Sequence, residues 1–113
     1  MSMPAYNSFQ LYKGDTLKFK LTLKTSGSAY NIPLSTDFAA AIKEKGSSTI
    51  AAEFNTEILS ASSGTILFTL PSADSSLLSS NKNWVYDVQL EDSSGVITTL
   101  LTGNIFVTDE VTQ

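Results

Sequence analysis

Across residues 15–24, DTLKFKLTLK, apolar and polar side chains alternate: Leu17, Phe19, Leu21 and Leu23 against Lys18, Lys20, Thr22 and Lys24. A period of two is the signature of a strand whose sheet has one buried face and one wet face. The pattern returns in TILFTL, where Ile66, Phe68 and Leu70 share a face. It returns again in WVYDVQLE, where Trp84, Tyr86, Val88 and Leu90 alternate with Val85, Asp87 and Gln89. These segments are predicted strands, with Leu17, Phe19, Leu21, Phe68, Trp84, Tyr86, Val88 and Leu90 in the core.

Between these segments the pattern is broken by turn residues. SFQLY reads as a short strand, and Lys13-Gly14-Asp15 after it supplies a turn or bulge. TSGSAYNIPLS reads as a turn and an extended connection. DFAAAIKEK has helix-forming alanines and an Asp37 placed like an N-cap, but it is short and runs at once into Gly46-Ser47-Ser48 and the alternating Ile50, Ala52 and Phe54. A strand is therefore predicted there, paired with the next through the GSS turn.

Pro71 ends the TILFTL strand, and SADSSLLSS predicts one short helical turn near residues 72–79, capped by Ser72, with Leu77 or Leu78 closing the core. VITTLLTG and NIFVTD follow as strand segments, bent or bulged near Gly103. Seven or eight short strands at roughly ten-residue spacing predict an all-β fold, an antiparallel immunoglobulin-like β-sandwich. Residues 12–109 form its single domain, 1–11 an N-terminal arm with apolar Met3, Tyr6 and Phe9, and 110–113 a polar tail.

Composition sharpens this picture mainly by exclusion. The 113 residues include 17 Ser and 13 Thr but only 16% charged side chains, a balance suited to strands and polar turns. Cysteine and histidine are both absent, which removes disulfides, thiolate nucleophiles, the usual zinc ligands and the commonest general base. All seven basic residues are lysine and the net charge is −4, so nucleic-acid binding is not expected. No apolar run approaches the roughly 20 residues that span a bilayer, and the first residues do not read as a cleavable signal, so no membrane partner is expected.

Candidate chemistry is sparse. Asp87, Glu91 and Asp92 are conceivable as paired carboxylates or as calcium ligands in EDSSG, but parity turns Asp87 outward and leaves the other two in a turn. Tyr86, following the PSADSSLL crossover, is placed to act as a tyrosine corner that bonds the crossover backbone. A sugar-stacking platform built from Trp84 and Tyr86 is the competing reading and needs both rings exposed. Gly14-Asp15 is a turn and not a phosphate cradle, because no long helix follows. The Lys18, Lys20 and Lys24 stripe is either a solvated strand face or a contact for an acidic neighbour.

The strand YKGDTLKFKLTL and the closing stretch WVYDVQLEDSSGVITTLLTGNIFVTDEVT together resemble the small β-sandwich domains of tailed-phage virion proteins. The likeness is to the N-terminal domain family of phage baseplate upper proteins and related tail or fibre-attachment proteins. The positions that carry it are Gly14, Asp15, Tyr86, Asp87, Gln89, Leu90, Gly95, Thr99, Leu100, Gly103 and Val107. The resemblance implies a non-enzymatic structural component of a bacteriophage virion, made in the host cytoplasm. It further implies that the chain docks on other copies of itself, as a homo-oligomer within an assembly, and on neighbouring virion proteins.

No catalytic residue, metal or cofactor comes with that family. The interface candidates are Met3, Tyr6, Phe9, Lys18, Lys20, Asp87 and Gln89. A capsid-surface decoration or cement protein, or a carbohydrate-binding or adhesion module, is the alternative; the last predicts solvent-exposed aromatics gathered on one sheet face.

Overall fold

The computed structural model describes residues 5–25, 28–33 and 35–109. In chain order the strands are β1 (Ala5–Tyr6), β2 (Phe9–Tyr12), β3 (Leu17–Thr22), β4 (Lys24–Thr25), β5 (Ser28–Ala29), β6 (Asp37–Glu44), β7 (Ile50–Glu53), β8 (Asn55–Ser60) and β9 (Thr65–Leu70). One helical turn, α1 (Ser72–Ser75), precedes β10 (Trp84–Glu91) and β11 (Ile97–Thr108).

The strands form a two-sheet, all-β sandwich. The larger sheet runs β1-β11-β10-β6-β7, with β2 also alongside β11; the smaller runs β3-β9-β8; β4 and β5 make a separate small pair. Alternation decides which side chains meet between the sheets. In β10 Trp84, Tyr86, Val88 and Leu90 are buried while Val85, Asp87 and Gln89 are half-buried on the outer face. In β9 Ile66, Phe68 and Leu70 are fully buried. Leu17, Phe19 and Leu21 point inward but stay only half-buried, because β3 is an edge strand of the smaller sheet.

Both sides of the sandwich are closed by chain that passes from one sheet to the other. Phe54, 6% exposed, separates β7 in the larger sheet from β8 in the smaller, and its amide donates to the Ala40 carbonyl. On the other side β2 leads into β3 through a turn in which the Asp15 amide bonds the Tyr12 carbonyl. Gly14 takes φ +93° there, a backbone state that suits glycine. Phe19 stacks on Phe9 at 4.9 Å and on Phe68 at 5.0 Å, and meets Phe54 edge-on at 5.4 Å. Offset and edge-on pairs of this kind add about 0.5–1.5 kcal/mol each beyond burial.

DFAAAIKE is the expected strand, β6, paired with β10 along its whole length. Several other expectations change. The sheet is not wholly antiparallel: β1 and β2 run parallel to β11, with Ala5 beside Leu101 and Phe9 beside Ile105. Residues 5–11, read as part of an arm, therefore lie in the larger sheet, and Leu11 is only 4% exposed. Residues 1–4, including Met3, and the tail 110–113 lie outside the described residues.

The irregularity in β11 falls beside Leu100, where the β10 register shifts between Val88 and Gln89, while Gly103 pairs in register with Tyr86. Pro71, not Ser72, occupies the N-cap position of α1, and no side chain caps the helix. Leu78 is fully buried and Leu77 is 68% exposed, so Leu78 is the plug. Ser75, also fully buried, accepts a hydrogen bond from the Gly14 amide and donates to the Asp15 carbonyl, tying α1 to the β2–β3 turn.

Candidate interaction surface

The outer face of the larger sheet is set by the same parity that fills the core. Down its middle run Val85, Asp87 and Gln89 of β10. On one side β6 places Ala41 beside Asp87 and Ala39 beside Gln89; on the other β11 places Thr102 and Thr99 at the same levels. Small side chains flanking larger ones leave two shallow depressions. One, of about 80 Å³, is lined by Ala41, Lys43, Val85, Asp87 and Thr102; the other, of about 60 Å³, by Asp37, Ala39, Gln89, Glu91 and Ile97.

Large exposed side chains surround this small-residue centre. Tyr6, Tyr12, Ile97 and Phe106 all project from this face, each more than half exposed. Tyr6 is held in place: its hydroxyl accepts from Asn104 Nδ2 at 2.6 Å and from Ser8 Oγ at 3.3 Å. The face also carries Asp37, Glu53, Asp87 and Glu91 against Lys43, an acidic excess. The outer face of the smaller sheet presents Lys18 and Lys20, both exposed, with Glu57 in the same row as Lys20.

The expected site residues separate accordingly. Tyr6, Asp87 and Gln89 belong to one face, and Lys18 and Lys20 to the opposite one. Phe9 is a correction: its pairing with Ile105 turns it inward, where it lies 5.4 Å from the Tyr86 ring. Trp84 and Tyr86 are 6% and 2% exposed, so a stacking platform made from them does not exist. Asp92 is engaged in its own turn, where Oδ1 accepts from the Ser94 and Val96 amides at 2.9 and 3.0 Å. Among the described residues no group of three or more Asp and Glu is placed to hold a metal ion.

Tyr86 does bond backbone, but not that of the crossover. Its hydroxyl donates to the Asn7 carbonyl at 2.6 Å, and the crossover is met instead by Trp84, whose Nε1 donates to the Ser79 carbonyl at 2.8 Å. Tyr86 reaches Asn7 because Gly103, opposite it on β11, leaves room for the N-terminal segment to pass; a Cβ at that position would collide with the Asn7 carbonyl. Burial pushes the Tyr86 hydroxyl up to about 12, with a smaller contribution from the neighbouring Tyr6.

A larger groove, about 320 Å³, opens at the end of the larger sheet where β11 continues past the first residue of β10. Phe106 and Asn104 form one wall and Ser80, Lys82 and Asn83 are among the residues lining the rest, with Lys45. Phe106 and Ile97 are not among the residues the sequence singles out. Parity within NIFVT was the available signal for Phe106, since Ile105 and Val107 turn in and the residue between them must turn out. Compared with protein-family models and with curated proteins, the chain finds no match.

Proposed function

We propose that the chain is a non-enzymatic structural component of a tailed-phage particle, acting in the baseplate, tail or fibre attachment through contacts with copies of itself and with neighbouring virion proteins. The observation that carries the reading is the outer face of the larger sheet, where exposed aromatic and aliphatic side chains, Tyr6 among them held by hydrogen bonds, surround a bed of alanine and threonine. Interface cores are enriched in aromatic residues and poor in lysine, and such a bed admits a partner's side chains closely. Five strands abreast at about 4.8 Å make a face roughly 20 Å wide, broad enough to contribute to an interface of about 800 Å² per partner.

The charge pattern supports contact between copies. The acidic face of one molecule complements the Lys18 and Lys20 face of the next, a head-to-tail relation that closes into rings or continues as stacks. The sequence resemblance supports the virion as the setting, and an immunoglobulin-like sandwich is the fold type that fits it. Ala41→Arg places a long cation in the centre of the face without touching the core. The unmodified chain is expected to sediment as a concentration-dependent oligomer that weakens with salt, and the variant as a monomer. A chain that stays monomeric at every concentration, together with its absence by mass spectrometry from purified particles of the encoding phage, overturns the proposal.

A further inference from the structure

We infer that the groove beside Phe106, at the rim of the assembly face, is a binding site for a saccharide that carries a carboxylate, a reading independent of the virion setting. β10 starts at Trp84, opposite Ile105, but β11 runs on to Thr108, so the last residues of β11 have no β10 neighbour and the groove opens there. Its volume of about 320 Å³ falls at the lower end of small-molecule sites.

The walls are held before any ligand arrives. The Lys45 amide donates to the Asn83 carbonyl at 2.8 Å, and Trp84 Nε1 fixes the Ser79 carbonyl next to Ser80. Asn104 gives its Nδ2 to the Tyr6 hydroxyl, which leaves its amide oxygen as an acceptor for a ligand hydroxyl. Preorganisation of this kind lowers the entropic cost of binding.

The lining chemistry selects the ligand class. The chain has 11 acidic and 7 basic residues, yet the groove is lined by two lysines and no carboxylate. Lys82 has Glu44 at 3.7 Å, half-exposed like itself, so its ammonium retains donors for another anion. Phe106, 55% exposed, offers a flat ring whose negative face suits the C–H side of a pyranose. Asn83, Asn104 and Ser80 supply the donors and acceptors that a row of hydroxyls requires. A phosphate ligand is disfavoured, because no arginine, glycine-rich loop or long helix N-terminus addresses the groove.

The test is titration of the full chain with N-acetylneuraminic acid and with galacturonic acid, followed by amide chemical shifts, using methyl galactoside and a tetraglutamate peptide as controls. Shifts are expected at Asn83, Asn104 and Phe106, with the acidic sugars binding about tenfold more tightly than the neutral one. Phe106→Ala, at an exposed position, should abolish binding of every sugar while the remaining spectrum keeps its native dispersion. The double variant Lys45→Gln, Lys82→Gln should bring the acidic sugars down to the affinity of the neutral control. No shift with any sugar, equal affinity for acidic and neutral sugars, or shifts with tetraglutamate alone would each overturn the inference.

Discussion

Tyr86→Phe removes one oxygen and leaves the ring, and so isolates the bond that joins the central strand to the N-terminal segment. The hydroxyl is 2.6 Å from the Asn7 carbonyl, within a residue only 2% exposed. A net hydrogen bond contributes about 1 kcal/mol, and a carbonyl stranded without its donor costs about 1–3 kcal/mol. Asn7 is itself exposed, so water can re-solvate part of its carbonyl and the sum settles near 1–2 kcal/mol. Urea unfolding followed through the single tryptophan, Trp84, reads this loss directly. Hydrogen exchange should quicken most in residues 5–12.

The same hydroxyl predicts a pH dependence. Burial raises the Tyr86 hydroxyl from 10.0 to about 12, so above pH 10 the unfolded chain gives up this proton while the folded chain keeps it. The folded state then binds more protons, and stability falls as pH rises from 10 towards 12. Phenylalanine has nothing to titrate, so the stability difference between the unmodified chain and Tyr86→Phe should hold steady below pH 10 and shrink across that window. A loss below about 0.5 kcal/mol at neutral pH, unchanged exchange in residues 5–12, or a difference that stays flat through the alkaline window would refute the reasoning.

Two further substitutions test the packing. Gly103→Ala should cost about 3 kcal/mol in urea unfolding, because its Cβ must displace the Asn7 backbone and not a flexible side chain. Leu78→Ala should cost about 2–5 kcal/mol and Leu77→Ala under about 0.5 kcal/mol, a contrast that equal thermal shifts for the two variants would contradict.

What the sequence discloses is parity; what it withholds is neighbourhood. The strands β3, β9 and β10 are legible because each alternates over six or more residues, and β6 because its alanines run straight into a hairpin turn. Asp87 and Gln89 are placed outside by counting alone. Phe9 resists this reading, since FQLY is too short to fix a face until its pairing with β11 is known. The role of Gly103 is hidden for a similar reason: its missing side chain serves a segment almost a hundred residues earlier, and a glycine in a strand reads locally as a bulge. Ser72 misleads by one position, because Pro71 with φ −64° and extended ψ takes the N-cap place first. The exposed face becomes visible only when Ala39, Ala41, Thr99 and Thr102 are brought level by register, and no single strand shows that arrangement.

The N-terminal strands decide where the domain begins. Tyr6 steadies Asn104 at the groove, Asn7 receives the Tyr86 hydroxyl, Phe9 stacks on Phe19 and Leu11 is buried against the core. A chain starting at residue 13 loses all four contacts and uncovers the edge of β11. Removing a buried leucine alone costs about 2–5 kcal/mol, and losing the Phe9 ring adds a comparable amount, against a total of about 5–15 kcal/mol for a typical domain. The fragment 13–113 should therefore lack a cooperative thermal transition and show poorly dispersed amide resonances. A cooperative melt with native dispersion would mean that residues 5–12, of which the sequence alone assigns 5–11 to an arm, are separable and that the sandwich closes without them.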